Sequence, residues 1–452
     1  MIRNLVFMVV LFPMLATALA QPFVGILLWS WISFMNPHRE IWGTAAYLPW
    51  GMMVIGATLI GCVLAREPRQ LPVNAVTVLL ALMLAMFTLT TFTGLGTPAE
   101  AWVKWDRAMR VIVVLLLTAA MLSDRRRLDA LIWLMVIAIG YYGVRGGMFT
   151  IMTGGSYRVW GPEQSMIADN NHIGAAMLVA LPLMNYLRLQ AGHRLVRIGL
   201  AAAMVLTLFA IIGTYSRGAL LGIAAVIVVM WLRSRHKLLG GIIMAAVLAV
   251  AINFMPAQWT DRMNTIGTYE EDLSATTRLR LWEVSFRLAL DRPLVGSGFR
   301  GPYTQSAVDT VMPGGPARAV HSIWFEVMGE HGFVGFALWL GLTLAGAWYA
   351  WRLIRLARLH PQLAWAGDLG RMLQVSIVAY SAAGTFLSLA YWDYYWTLMV
   401  IAPAALAIAR RSLSQQSDAE PAGFGWRTAR AGSATPRPAV AAGWSRQGRA
   451  ST

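Results

Sequence analysis

Apolar runs separated by short polar clusters recur along most of the chain. They fall at residues 4–35, 49–64, 74–92, 108–122, 129–152, 171–187, 196–212, 217–232, 238–254, 321–351, 372–390 and 396–409. A helix of about 20 apolar residues crosses about 30 Å of hydrocarbon. A membrane β-barrel would instead show alternating segments of about ten residues. The pattern predicts an all-α polytopic membrane protein with about twelve transmembrane helices. Residues 4–35 are long for one straight crossing and short for two, so one crossing kinked near Pro13 or Pro22 is expected. The Ala18-Leu19-Ala20 stretch imitates a signal-peptide cleavage site, but the apolar run that follows favours an uncleaved first membrane segment.

The polar clusters orient the chain. The loops holding Arg66, Arg69, Arg125–Arg127, Arg188, Arg194, Arg197, Arg233, Arg235, Lys237, Arg352, Arg355, Arg358 and Arg371 carry fifteen basic residues. The alternate short loops hold five: Arg39, Lys104, Arg107, Arg158 and Arg217. The first set is expected in the cytoplasm, and with it the N-terminus. This organisation gives an N-terminal bundle over 1–254, a large loop over 255–320 on the outer side of the membrane, C-terminal membrane helices over 321–410 and a tail over 411–452. The tail is rich in Ser, Ala, Gly, Pro and Arg, a disordered composition expected on the cytoplasmic side.

The large loop is formally neutral, with seven Arg and seven Asp or Glu. Loops of this length are usually functional or disordered. Within it Leu279, Trp282, Phe286 and Leu290 recur at helical spacing, with Arg280, Glu283 and Arg287 between them. This predicts an amphipathic helix starting near Thr276 or Thr277 and ending at Asp291-Arg292-Pro293, suited to lying on a membrane surface.

Composition narrows the function. Only 13% of residues are charged, about half the share in soluble globular proteins, which excludes a soluble enzyme. A net charge of +16 invites a nucleic-acid reading, but the basic residues sit between apolar segments as orientation signals do, so no nucleic-acid partner is expected. Cys62 is the only cysteine, which excludes an intrachain disulfide. There is no D-x-D motif, P-loop or Cys/His metal spacing.

The chemistry-bearing candidates gather at the outer helix ends. Arg217, in Tyr215-Ser216-Arg217-Gly218, either snorkels to the interface or holds phosphate. Arg278 and Arg280 open the loop helix as a solvated face or as a second phosphate clamp. His321, where the loop re-enters the membrane, is either structural or a general base kept neutral by a helix N-terminus. Arg145 lies inside a span, where arginine is costly and functional by default, and its flanking glycines predict close helix packing or a break. Asp169 and Asn170 cap a helix or hydrogen-bond substrate. Glu326 and Glu330 lie four apart, and Glu330 is expected to pair with an arginine in the bundle. The run Tyr391–Trp396 reads mainly as an interfacial aromatic belt, with sugar stacking a secondary reading.

Several motifs together resemble the O-antigen ligase and polymerase superfamily of bacterial inner-membrane proteins over about residues 1–410. Gly213-Thr214-Tyr215-Ser216-Arg217-Gly218 resembles its Arg motif. Asp291-Arg292-Pro293-Leu294-Val295-Gly296-Ser297-Gly298-Phe299 resembles its loop turn. His321-Ser322 followed by Glu330, Gly332 and Gly335 is similar to its His-containing helix. Ser33-Phe34-Met35-Asn36-Pro37-His38-Arg39, the stretch from Gly154 to Pro162 and Asp169-Asn170-Asn171 look like the branch described as O-glycosylation ligases of exosortase A systems.

The resemblance implies a glycosyltransferase of the inner membrane, working at its periplasmic face without metal, ATP or other cofactor. Its donor would be an undecaprenyl-pyrophosphate-linked glycan and its acceptor a periplasmic protein or glycolipid, with membrane lipids around it. Arg217 and Arg278 would hold the pyrophosphate and His321 would activate the acceptor hydroxyl. Arg145, Arg280, Asp169, Asn170, Ser322 and Glu330 are further substrate-contact candidates. Ser322 stands where many superfamily members have Asn, which bears on the acceptor contact. A polymerase of the same chemistry and a transporter of lipid-linked saccharide are the alternatives.

Overall fold

The computed structural model describes residues 2–65, 70–233, 241, 242, 249, 253–264 and 273–419. The span expected over 238–254 lies almost wholly outside the described residues, as does most of the tail. Residues 1–410 form one compact unit.

The described elements are helical. In chain order they are α1 Ile2–Ala20, α2 Pro22–Met35, α3 Trp50–Leu64, α4 Ala75–Phe92, α5 Pro98–Met121, α6 Arg125–Met152, α7 Asn170–Gln190, α8 Arg194–Gly213 and α9 Arg217–Arg233. Next come α10 Ala257–Asn264, α11 Leu273–Asp291, α12 Gln305–Asp309, α13 Ile323–Leu359, α14 Ala364–Gly384 and α15 Asp393–Ala419. Seven of the described helices are long and apolar enough to cross a membrane: α1, α4, α6, α7, α8, α13 and α15. The chain is an integral membrane protein.

The first two helices correct an expectation. They do not form one kinked crossing. Gln21 separates them with φ −131° and ψ 86°, and Phe7 packs on Trp31 with ring centroids 5.9 Å apart. Residues near opposite ends of the segment can meet only if α1 and α2 run antiparallel. The start of α1 therefore lies at the same end of the bundle as the 37–48 loop, and the expectation of an N-terminus on the opposite side fails. Pro22 at the first position of α2 favours this restart, because its missing N–H is not needed there.

The Arg-rich loops do share one end. Arg125 lies over the Trp365 ring at 4.0 Å, and Gln190 donates to Asp368 at 3.0 Å. The turns after α6, before α7, before α9 and after α14 meet at the other end, as hydrogen bonds described below show.

Close packing explains the glycines around Arg145. A Cβ on Gly143 would sit 2.2 Å from Thr207 Oγ1, and one on Gly147 would sit 2.0 Å from the Leu206 carbonyl oxygen. The α6 and α8 backbones approach to a distance only glycine permits. Helix α6 runs through both positions without a break.

Helix α13 is broken at Gly332, with φ 65° and ψ −168°. The turn after α11 fills the break. Ser297 N–H donates to Gly329 O at 3.0 Å and Gly298 N–H to Glu330 O at 2.7 Å, while Phe333 N–H donates to Pro293 O at 2.8 Å. Those carbonyls and that N–H would otherwise bond within the helix, so the splice satisfies the groups the break frees. A Cβ on Gly296 would be 2.4 Å from Gly332 N. The Gly296-Ser297-Gly298 turn is thus a structural insert that locks the large loop onto α13.

Helix α11 ends at Asp291 as expected, but begins at Leu273, before the predicted cap. Its protein-facing side is also different. Leu281, Val284, Ser285 and Leu288 are buried, while Leu279, Phe286 and Leu290 are exposed. The expected apolar stripe is largely the outward face, a face suited to lipid.

The aromatic run is another correction. Tyr391, Trp392, Tyr394, Tyr395 and Trp396 are all buried, so they form part of the bundle core rather than an interfacial belt. Tyr395 stacks on Tyr380 at 3.5 Å between centroids, and Tyr391 donates to Glu330 at 2.7 Å.

Candidate active site

His321 occupies the last turn of the large loop, two residues before α13. Its φ is 53°, left-handed for a residue with a side chain, a conformation that persists only when neighbours impose it. Two neighbours do so. Its own N–H donates to Ser388 Oγ at 2.9 Å. The preceding carbonyl, Val320 O, accepts from Trp282 Nε1 at 3.1 Å. Trp282 also stacks on Phe325, with centroids 5.2 Å apart and planes 10° apart. The start of α11 is thereby fastened to the start of α13.

Arg278 lies one helical turn before Trp282, on the same face of α11. It is half-buried and acts electrostatically on His321. Burial pushes the imidazole below its ordinary pKa; Arg278 and His172 push the same way, and Asp169 and Glu326 only partly oppose them. His321 is therefore neutral near pH 7, with a lone pair available to accept a proton. Arg280 is exposed, a little over half a turn around the helix from Arg278. The structure does not bring it toward His321 as it does Arg278.

Arg217 begins α9. Ser216 caps this helix, its Oγ accepting the Ala219 N–H at 3.1 Å. Tyr215, at φ 58°, turns the chain sharply before it, and its hydroxyl donates to Gly155 O at 2.6 Å. Arg217 is half-buried at a helix N-terminus, where helix dipole and guanidinium both favour an anion. The next residue, Gly218, abuts Ala383 O and Phe386, each 3.6 Å from a Cβ placed there. Phe386 packs against Trp282 at 6.0 Å. Residues 383–388 thus bridge the turn of Arg217 to the anchors of His321.

The start of α7 completes this wall. Asp169 caps it by accepting from the Asn171 N–H at 2.8 Å, and it holds the His172 ring at 3.4 Å. Burial would raise the Asp169 carboxyl, but the hydrogen bonds from His172 and Asn171 hold it well below the usual carboxylate range. Asn170 is buried and donates to Thr214 O at 2.7 Å, so its amide ties α7 to the Arg217 turn. Ser322 is fully buried.

The other predicted residues lie elsewhere. Arg145 pairs with Glu40 at 2.8 Å and stays 60% exposed. It borders a separate cavity of about 360 Å³ with Arg158 and Trp160. Glu330 is buried, and its partner is Lys104 at 2.8 Å, not an arginine. It also accepts from the Arg300 backbone N–H at 2.8 Å.

Lys104 is the centre that sequence reasoning missed. It contacts Glu326 and Glu330 at 2.8 Å each, and Tyr303 donates to Glu326 at 2.9 Å. This network underlies a cavity of about 540 Å³, lined among others by Arg107, Arg300, Tyr303, Glu326 and Ser388. Ser388 is the residue that holds the His321 backbone, so the cavity adjoins the histidine. One signal was available: Lys104 and Lys237 are the only lysines of the chain.

Residues 202–340 match the family described as O-Antigen ligase. This stretch contains Arg217, Arg278, His321, Glu326 and Glu330, and it supports a membrane glycan ligase or polymerase, a glycosyl-transferring enzyme in general. Residues 2–191 match a family of unknown function (DUF5935), which contributes Lys104, Arg107, Asp169 and His172. No curated protein matches the chain. The candidate site is therefore assembled from both matched stretches, with Ser388 and Phe386 outside either.

Proposed function

We propose that this protein transfers a saccharide from an undecaprenyl-pyrophosphate carrier to an acceptor hydroxyl at the periplasmic face of the bacterial inner membrane. The observation that carries the proposal is the left-handed His321, half-buried and neutral, held by Ser388 and Trp282 within reach of the Arg278 charge. Arg217 and Arg278 bind the pyrophosphate of the donor. The acceptor oxygen attacks the anomeric carbon while His321 takes its proton. The bond from that carbon to the phosphate oxygen breaks, and its electron pair stays on the pyrophosphate, where the guanidiniums stabilise the charge. In-line displacement inverts the anomeric centre. No cofactor is assigned a step.

The motifs near residues 33–39 and 154–162 favour protein O-glycosylation, as in the exosortase A-associated branch. Polymerisation of the same donor is the second reading, because ligation and polymerisation use one chemistry. A transporter without chemistry is third, and it leaves the arrangement around His321 without a role.

The test is transfer by the purified protein from an undecaprenyl-pyrophosphate glycan to candidate periplasmic proteins, read by mass shift in EDTA. Wild type is compared with His321→Ala. A single added glycan that disappears in the variant supports the ligase. A ladder of repeats on the carrier means a polymerase. Equal transfer by His321→Ala removes the proposed base.

A further inference from the structure

The cavity beside Lys104 has a composition that the transfer chemistry does not require. Its walls combine three cations with two carboxylates: Lys104, Arg107 and Arg300 against Glu100 and Glu326. Lys104 is matched by Glu326 and by Glu330 behind it. Arg300 is paired with Glu100 at 3.0 Å and lies over the Tyr303 ring at 4.4 Å. Arg107 is exposed. Counted with Glu330, three cations face three carboxylates, and Arg107 is the cation of this wall that has no direct ion pair among the described residues.

A second observation is independent. Glu326 is 3% exposed and lines the cavity, and its Oε2 has no hydrogen-bond partner among the described residues. Its Oε1 already accepts from Lys104 and Tyr303. A buried carboxylate oxygen without a donor is costly, and a sugar hydroxyl is a donor of the right kind. Tyr303 and Tyr391 also line the cavity, their rings lying under the Lys104 and Arg300 charges. A volume of about 540 Å³ is within the usual range for small-molecule sites.

We propose that this cavity binds a carboxylated monosaccharide unit, with Glu326 accepting from its hydroxyls and Arg107 pairing with its carboxylate. The unit belongs to a saccharide acceptor, as in the polymerisation reading above, since Ser388 joins the cavity wall to the backbone of His321; that role, though not the binding, rests on that reading. Acceptor choice then comes from Arg107 of the N-terminal matched stretch acting beside Glu326 of the ligase-matched stretch.

The experiment is saturation-transfer NMR on the full-length protein in detergent, with free glucuronate and glucose as probes and no donor present. Wild type should saturate glucuronate more strongly than glucose. Ala99→Trp, placed on the cavity wall but outside the ionic network, should abolish both signals with melting unchanged. Arg107→Gln should reduce glucuronate to the level of glucose, and Glu326→Gln should weaken both sugars at least tenfold. No signal from folded wild type, or signals unaffected by Ala99→Trp, overturns the site. Equal binding of the two sugars overturns the charge selection. Binding of farnesyl pyrophosphate, measured separately in wild type and Arg217→Gln, reports the donor side. The two readings can therefore fail independently.

Discussion

Trp282 donates its indole N–H to the carbonyl of Val320, the residue that precedes His321. This bond joins the helix bearing Arg278 to the turn bearing the histidine. Val320 is fully buried, so its carbonyl has no recourse to water. Trp282→Phe keeps an aromatic ring against Phe325 and removes the donor. The expected loss is about 1–3 kcal/mol of stability, with transfer reduced further than folding, as read by thermal melting beside a transfer assay.

The His321 environment sets the direction of a pH response. Its pKa in the folded protein lies below the ordinary His value, so the general base remains active somewhat below pH 6.5. The acid limb of kcat/KM should lie beneath the ordinary His range. Arg278→Gln removes a charge that lowers the pKa and should move the limb up; Asp169→Asn removes one that raises it and should move the limb down. The stability linkage has the same origin. Below about pH 6.5 the unfolded chain takes up a proton that folded His321 resists, so this contribution is complete above that pH and is lost progressively below it. A limb unmoved by either variant would assign it to another group.

Arg217→Lys retains charge but not the planar fork of donors. Charge-assisted bonds of this kind contribute about 1.5–3 kcal/mol, so kcat/KM for the donor should fall about 10- to 100-fold. Steady-state titration of donor and acceptor separately checks this, with the acceptor KM expected to stay constant. Unchanged turnover removes Arg217 from the site.

Gly332→Ala tests the splice in α13. An added Cβ would stand 2.6 Å from Pro293 O and 2.9 Å from Gly296 N, both backbone atoms with little room to move. The positive φ adds about 1–3 kcal/mol of strain. Melting should fall markedly, and limited proteolysis should cut first in the large loop. Wild-type melting would show that the break tolerates a side chain.

Lys104→Met leaves Glu326 and Glu330 facing each other without their cation. Removing one partner of a buried ion pair costs about 3–5 kcal/mol, so the variant should be severely destabilised in a detergent melt. Lys104→Arg, with charge kept and shape changed, should lie between the two.

The sequence carried the class of fold because membrane helices satisfy their backbone internally and advertise themselves by apolar length. It carried the segregation of arginines, seen where Arg125 meets Trp365 and Gln190 meets Asp368. It also carried Arg217 and His321 as polar residues at helix ends, whereas Arg278 lies more than a turn inside its helix. It misread residues 4–35 because hydrophobic length does not distinguish a kinked crossing from two antiparallel helices, and only the Phe7–Trp31 contact separates them.

Other features depended on which surface faces protein and which faces lipid, a distinction apolarity cannot encode. Leu279, Phe286 and Leu290 look like a core stripe yet point outward, while Leu281, Val284 and Leu288 are buried. Tyr391–Trp396 has belt composition and lies within the bundle. The tertiary structure alone brought Lys104 to Glu330 across 226 positions of chain and set Ser388 beneath His321. Local pattern fixes which residues can sit at a helix end or in hydrocarbon. Which charges compensate one another, and which side chains share a cavity, follows from packing between distant segments.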